Sequence, residues 1–314
     1  MSMFDNFVQK RRYFYIFSGI VIGLGFLAMI YSYVNRGQIF PLGVDFIGGT
    51  RFEIQFTNTV SEEQVRATFT EAGISNPSIT ALRGQDLNNA WQIRTEYVDA
   101  NEAHSLQSAL EKLAPLVPGT FSVTTVSPAV GQEVTRAALA AVIVSGIVVL
   151  FYIMFAFRQV PNSFRYGACA VIAMFHDLFV IFGFAAIMGM ISGWEVDALF
   201  LTGVLTVAGF SLQDTIVVFD RIRENSARKR SGSFEALVNR SVSETIKRSL
   251  ITQLSAMFVL LSILLFGGAS IKPFIAVLFV GLLSGTYSSI FTAVPLLVSW
   301  ELGEIPLISR VKTA

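Results

Sequence analysis

Residues 165–190 read RYGACAVIAMFHDLFVIFGFAAIMGM, an apolar run interrupted at its middle by one adjacent pair, His176 and Asp177. A helix crosses the hydrocarbon core of a bilayer with about 20 apolar residues, so this run is long enough to span. Five further runs of similar character lie near 13–34, 134–157, 197–220, 249–267 and 273–300, making six candidate transmembrane helices. The composition agrees: the 314 residues are 53% hydrophobic and only 14% charged, with mean hydropathy +0.60. Ordinary soluble, disordered and fibrous classes are thereby excluded. The first run follows Lys10, Arg11 and Arg12 like a signal-peptide n-region, but its length and the lack of a small-x-small cleavage site read as an uncleaved anchor.

Net charge is +1, from 23 basic and 22 acidic residues, and the placement of the basic ones sets orientation. Lys10, Arg11, Arg12, Arg158, Arg165, the segment 221–248 and finally Arg310 and Lys312 fall on one side, whereas the opposite short loops offer only Lys272. Positive charge resists translocation, so both termini are expected in the cytoplasm. The chain divides accordingly into a cytoplasmic N-terminus with the first helix (1–34), an extracytoplasmic domain (35–133), five more helices with a cytoplasmic loop at 221–248 (134–302), and a cytoplasmic tail (303–314).

The exterior stretch alternates between periods of two and 3.6. Thr50–Phe56 alternates as a strand, and Ser61 with Gln64 forms a capping-box pattern opening a helix with Val65, Phe69 and Ala72 on one face. Strands are expected near Ser78–Arg83, Trp91–Tyr97 and Phe121–Val126, with turn residues at 84–89 and a helix from Asn101 that ends before Pro115 and Pro118. The order βαββαβ predicts a ferredoxin-like α+β domain between the first two membrane helices, a fold that implies no chemistry by itself.

Ionisable residues inside membrane helices cost several kcal/mol unless paired, protonated or hydrated, so they are the primary functional candidates. In the fourth helix Asp214 shares a face with Ser211, Val218 and Arg221, continued by Gly203 and Val207. In the fifth, Arg248 heads a stripe of Thr252, Ser255, Val259 and Ser262 at alternating spacings of four and three. Antiparallel neighbours would bring Asp214 and Arg248 to similar depth, where opposite charges lower each other's cost. A carboxylate so placed can gain or lose a proton when the guanidinium moves. Arg248 fits equally well as a membrane-edge anchor snorkelling to the cytoplasm. His176 and Asp177 read either as a second relay or as a polar pair that stabilises the bundle. A short amphipathic helix is expected at Phe234–Val242, with Phe234, Leu237, Val238 and Val242 on one face.

Other chemistries lack their parts. One cysteine, Cys169, and two histidines, His104 and His176, supply no zinc or haem ligand set and no disulfide. Neither a phosphate-binding G-x-x-x-x-G-K-[ST] loop nor a G-x-S-x-G elbow occurs. No basic footprint for nucleic acid is present. Asp177 and Asp214 on neighbouring helices are the ingredients of an intramembrane aspartyl protease, though Asp214 follows Ser-Leu-Gln and not Gly-x-Gly.

Two stretches carry a resemblance: Gly43-Val-Asp-Phe-Ile-Gly-Gly-Thr50 after the first helix, and Gly209-Phe-Ser-Leu-Gln-Asp-Thr-Ile-Val-Val-Phe-Asp-Arg-Ile-Arg-Glu-Asn225 in the fourth, with Thr245-Ile-Lys-Arg-Ser-Leu-Ile-Thr252 beyond. The chain resembles, over nearly its whole length, the SecD/SecF family of protein-export membrane proteins, within the resistance-nodulation-division superfamily. The resemblance implies an accessory subunit of the Sec translocon in the cytoplasmic membrane that, with a separate SecD, uses the proton motive force to promote preprotein translocation. It implies the SecYEG channel, YajC and the translocating preprotein as partners, and protons in place of any cofactor or metal. It carries a proton-relay role onto Asp214 and Arg248, a family pair onto His176 and Asp177, and a motif onto Asp45, Phe46, Gly48 and Gly49. Gly48 and Gly49 suit a tight backbone path between helix and domain, with Asp45 capping that turn. The rival reading is a passive scaffold for SecD.

Overall fold

The computed structural model describes residues 6–75, 77–84, 87–160, 162–227, 233–268 and 271–304. Arg228, Lys229, Arg230, Arg310 and Lys312, on which part of the orientation reading rests, lie outside them.

Six helices are long and apolar enough to cross a membrane. They are α1 (Arg11–Arg36), α5 (Pro128–Ala156), α6 (Ser163–Ser192), α7 (Ala198–Ala227), α8 (Phe234–Phe266) and a last helix built from α9 (Lys272–Ser288), a π-turn (Ser289–Ala293) and α10 (Val294–Glu301). Between α1 and α5 the chain forms α2 (Val44–Ile47), β1 (Gly49–Gln55), α3 (Glu62–Glu71), β2 (Ser78–Gly84), β3 (Leu87–Thr95), α4 (Ala100–Leu113) and β4 (Ser122–Val126).

The centre of the bundle is made by α6, α7 and the last helix. Ala170, Ala173, Met174 and Ile181 of α6, Val204, Val207 and Val218 of α7, and Ala293, Val294 and Leu297 of the last helix are all fully or nearly fully buried. The flanks of α1, α5 and α8 are open and apolar, as at Leu24, Leu27, Ile143, Phe151, Phe258 and Leu265. In water such faces would be an aggregation hazard; against lipid tails they are the expected solvent-facing surface. The π-turn precedes Pro295. Proline has no N–H and its ring collides with the carbonyl one turn back, so a locally widened helix accommodates it.

The segment 221–248, expected as a cytoplasmic loop, is mostly helix. α7 runs on to Ala227 and α8 starts at Phe234, so the helix expected at 234–242 is simply the first turns of α8. Among the described residues part of its charge is paired along and between the helices: Arg240 pairs with Glu244 at 2.8 Å, and Arg221 reaches Glu244 at 2.6 Å. The same residues that broke the apolar pattern stabilise the helical extensions through pairs spaced one turn apart.

In the domain between α1 and α5 the sheet order is β2-β3-β1-β4, with every neighbouring pair antiparallel. Local signals fix its helices. Ser61 accepts from the Gln64 N–H while Gln64 reaches back to the Ser61 N–H, and Asp99 and Glu102 form the same reciprocal cap on α4. One face of the sheet buries Phe52, Ile54 and Ile93 against Val65 and Phe69 of α3 and Leu106 and Leu110 of α4. Ser127 caps α5 by accepting from the Val130 N–H, and Pro128 takes the first helical position, so β4 passes straight into a membrane helix.

Candidate functional site

Asp214 sits in the middle third of α7 and is 4% exposed. Gln253 of α8 donates Nε2–H to its Oδ2 at 2.8 Å. Ser249, one turn earlier on α8, turns its buried hydroxyl toward the same carboxylate. The surroundings of the acid are therefore an amide and a hydroxyl. The expected pairing with Arg248 does not form. Arg248 is exposed and makes no ion pair with Asp214 among the described residues; the helix turns Ser249 and Gln253 inward instead. A 3.6-residue period puts these two on one face and leaves Arg248 about 100° away from Ser249.

The rest of the polar stripe on α8 also faces outward. Thr252, Ser255 and Ser262 are exposed, and each hydroxyl donates to the carbonyl four residues earlier, at 3.0, 2.8 and 2.9 Å. On α7, Thr202 and Thr206 do likewise, and Gln213 is exposed one residue before Asp214. Two neighbouring helices thus present small and polar groups to the outside of the bundle.

Asp177 is the deeper acid, with 0% exposure. Ser211 of α7 donates to Oδ2 at 2.5 Å, Ser284 of α9 to Oδ1 at 2.6 Å, and Ser288 to Oδ2 at 2.7 Å. His176 Nδ1 lies 3.1 Å from Oδ1. Where Asp177 is ionised it can only accept, and Nδ1 is then the donor of this contact. His176 Nε2 is buried with no partner among the described residues, and the imidazole stacks on Tyr287 with centroids 6.0 Å apart. Asp177 consequently ties α6, α7 and the last helix together at one point. Asp177 and Asp214 make no hydrogen bond to each other among the described residues, so the shared-proton dyad of an aspartyl protease is not formed. Ser284 and Ser288, four apart in the last apolar run, and Gln253 are the signals in the sequence that point to these partners.

A third cluster lies at the other end of the bundle, where the βα domain meets the helices. Gly48 has φ +79° and Gly49 φ +119°. A Cβ on Gly48 would sit 2.6 Å from Pro128 Cα, and one on Gly49 would sit 2.5 Å from the Thr95 carbonyl oxygen. Phe46 is buried, and its carbonyl accepts from Thr135 Oγ1 of α5 at 3.2 Å. These glycines are required by backbone against backbone, both in handedness and in space. Asp45 does not cap its own turn as expected; its Oδ2 accepts from the Ala198 N–H at 3.1 Å, across the chain at the start of α7. Asp197 adds a cap to the same helix, Oδ1 accepting from the Phe200 N–H at 2.8 Å. Glu195 Oε1 pairs with Arg94 of β3 at 3.1 Å. Burial pushes the Glu195 carboxyl above its ordinary range, against the pull of Arg94 and Arg51. Burial raises Asp197 too, against the Phe200 N–H and Arg51.

Six helices long and apolar enough to span, with a βα domain after the first, define a multi-pass membrane protein. The sequence profile described as protein export membrane protein SecD/SecF, C-terminal, matches residues 106–303, and that of the SecD/SecF GG motif matches residues 40–60. The chain belongs to this SecD/SecF family and to the Sec pathway of protein transport. It is 42% identical to the protein translocase subunit SecF of Thermobaculum terrenum over 94% of each chain. It is 40% identical to that of Anaerolinea thermophila over 95% of each. Among solved structures, the crystal structure of SecDF from Thermus thermophilus, titled a translocon-associated membrane protein, aligns with a TM-score of 0.79 at 29% identity. That alignment covers 96% of this chain and 40% of SecDF, so the chain spans less than half of that relative.

Proposed function

We propose that this chain works with a SecD partner to draw on the proton motive force for preprotein translocation through the Sec channel, in the cytoplasmic membrane with both termini inside and the βα domain outside. The carrying observation is Asp214, a buried intramembrane carboxylate whose hydrogen-bond partner is the neutral side chain of Gln253. With no cation bonded to it among the described residues, such a group is suited to be neutralised by a proton arriving from one side of the membrane. Arg248, on the adjoining helix but open to the outside, would meet the acid's charge only after a rotation or with a partner bundle in place. The outward polar stripes of α7 and α8 support such a partner, because polar groups on membrane helices normally face other helices. The 40% coverage of SecDF agrees with it too, since most of that longer chain lies outside the part matched here. His176 and Asp177 then hold the three central helices in register. The antiparallel order β2-β3-β1-β4 supports reading the domain as ferredoxin-like and its use as a transmission or binding module.

The test is Asp214→Asn, which keeps the size and an acceptor for Gln253. In inverted membrane vesicles carrying SecD, the component of preprotein export driven by the proton gradient should fall at least about tenfold, because one charge moved through 100 mV is worth about 2.3 kcal/mol. Co-purification of SecD should be unchanged. Unaltered gradient-driven export with intact assembly would reject the motor role and leave a passive scaffold.

A further inference from the structure

The βα domain stands on two different membrane helices. Its first footing is α5: β4 enters that helix directly through Ser127 and Pro128, and Gly48 packs against Pro128. Its second footing is the start of α7, reached through the short link 193–197. There the chain before the domain pairs with the link, Val196 N–H donating to the Pro41 carbonyl at 2.8 Å and Gly43 N–H to the Val196 carbonyl at 2.7 Å. Arg94 of β3 bridges both strands of this contact, donating to the Leu42 carbonyl and pairing with Glu195. Asp45 accepts from the first N–H of α7. Arg51 of β1 lies 3.9 Å from Asp197 Oδ2 and 3.6 Å from Glu53.

From these contacts we infer that Arg94, Glu195 and Asp45 are positioning residues of a mechanical footing, through which a displacement of α7 relative to α5 tilts the βα domain. Three features separate a footing from incidental packing. Both central strands of the sheet, β1 and β3, send a charged side chain to the same five-residue link, so force is delivered to the rigid part of the domain. Asp45 and Asp197 both bind backbone N–H groups of the first turn of α7, so the link moves with that helix. The Arg94–Glu195 pair is largely withdrawn from water, at 18% and 11% exposure, where a charge left alone is far costlier than at a surface and the pair resists separation. The helix held in this way is the one that carries Asp214. The step from tilt to export rests on the proton-driven reading above; the footing itself does not.

Spin labels at Ser108→Cys on α4 and Leu199→Cys on α7, in a Cys169→Ala background, read the distance between domain and helix by pulsed electron resonance in reconstituted membranes. The otherwise unaltered chain should give one narrow distance. Arg94→Glu and Glu195→Arg should each broaden it about twofold, and the two together should restore part of the narrow peak, the bond from Arg94 to the Leu42 carbonyl staying lost. In export assays with SecD, each single reversal should lower the gradient-driven component about fivefold and the double exchange should recover part of it. Narrow distances in all variants, or broadening that the exchange does not reduce, would overturn the footing. So would loss of export without broadening. A chain with no gradient response at all would reject the proton-driven reading, while the distances still decide the footing.

Discussion

Asp177→Leu is expected to destabilise the bundle by about 2–4 kcal/mol, the combined cost of several buried donors losing one acceptor. Leucine has a similar size but accepts nothing, so Ser211, Ser284, Ser288 and His176 Nδ1 all lose the group they share. The serines have a partial escape. A helical hydroxyl can turn to a carbonyl of the preceding turn, as Ser288 already does toward Gly285 at 3.4 Å. Membrane hydrogen bonds also average well under about 1 kcal/mol each, because the unfolded helices find other partners. His176 loses the carboxylate that Nδ1 contacts while its Nε2 is already without a partner among the described residues. Asp177→Asn retains one oxygen, and its amide can donate to a serine that reverses its role, so its cost should be about 1 kcal/mol. Unfolding by denaturant in bicelles separates the two. Equal stability of the leucine and asparagine variants would mean that the convergence on Asp177 contributes nothing to holding α6, α7 and the last helix.

Asp177 also illustrates which structural features are legible in the sequence. The spans and the Ser61–Gln64 cap are, because both depend on residues a few positions apart. The helical ends of α7 and α8 are not, because charge density at 221–248 reads as a solvated loop until the pairs Arg221–Glu244 and Arg240–Glu244 are in place. For a related reason the sequence pattern points Asp214 to Arg248, whereas in this structure its hydrogen bond comes from Gln253. Depth along two helices follows from the connection between them, but rotation about the helix axis is set by packing with the rest of the bundle. A rotation of one residue separates Arg248 from Ser249, and the inward face of α8 carries Ser249 and Gln253. The role of Asp45 is invisible for the simplest reason, since its partner Ala198 is 153 residues away.

The other large effect is expected at the glycine joint, where Gly48→Ala should cost about 3 kcal/mol or more while Gly73→Ala costs about 1–2. Both glycines have positive φ, +79° at Gly48 and +87° at Gly73. At Gly48 this φ is joined to a ψ of 172°, a region all but reserved for glycine, so a Cβ there meets backbone strain as well as crowding. The two sites also differ in space. Around Gly73 nothing lies within 4 Å of the place an added methyl would take, whereas at Gly48 the methyl would fall 2.6 Å from Pro128 Cα and 2.8 Å from Pro128 N. These are backbone atoms in the first turn of α5, which cannot yield as a side-chain tip can. The contact is reciprocal, because a Cβ on Gly131 would meet Gly48 N and Phe46 O at 2.8 Å. Relief therefore requires the βα domain to move off α5 as a body. Gly48→Ala should leave the six spans inserted and the sheet core of Phe52, Phe69 and Leu110 intact, yet expose the chain near residues 44–50 and 127–131 to protease. Trp91, in β3 beside that core, reports unfolding of the domain itself, and its transition should shift less than the protease sensitivity of the joint. Equal costs for Gly48→Ala and Gly73→Ala would show that the close approach at Pro128 has no energetic weight.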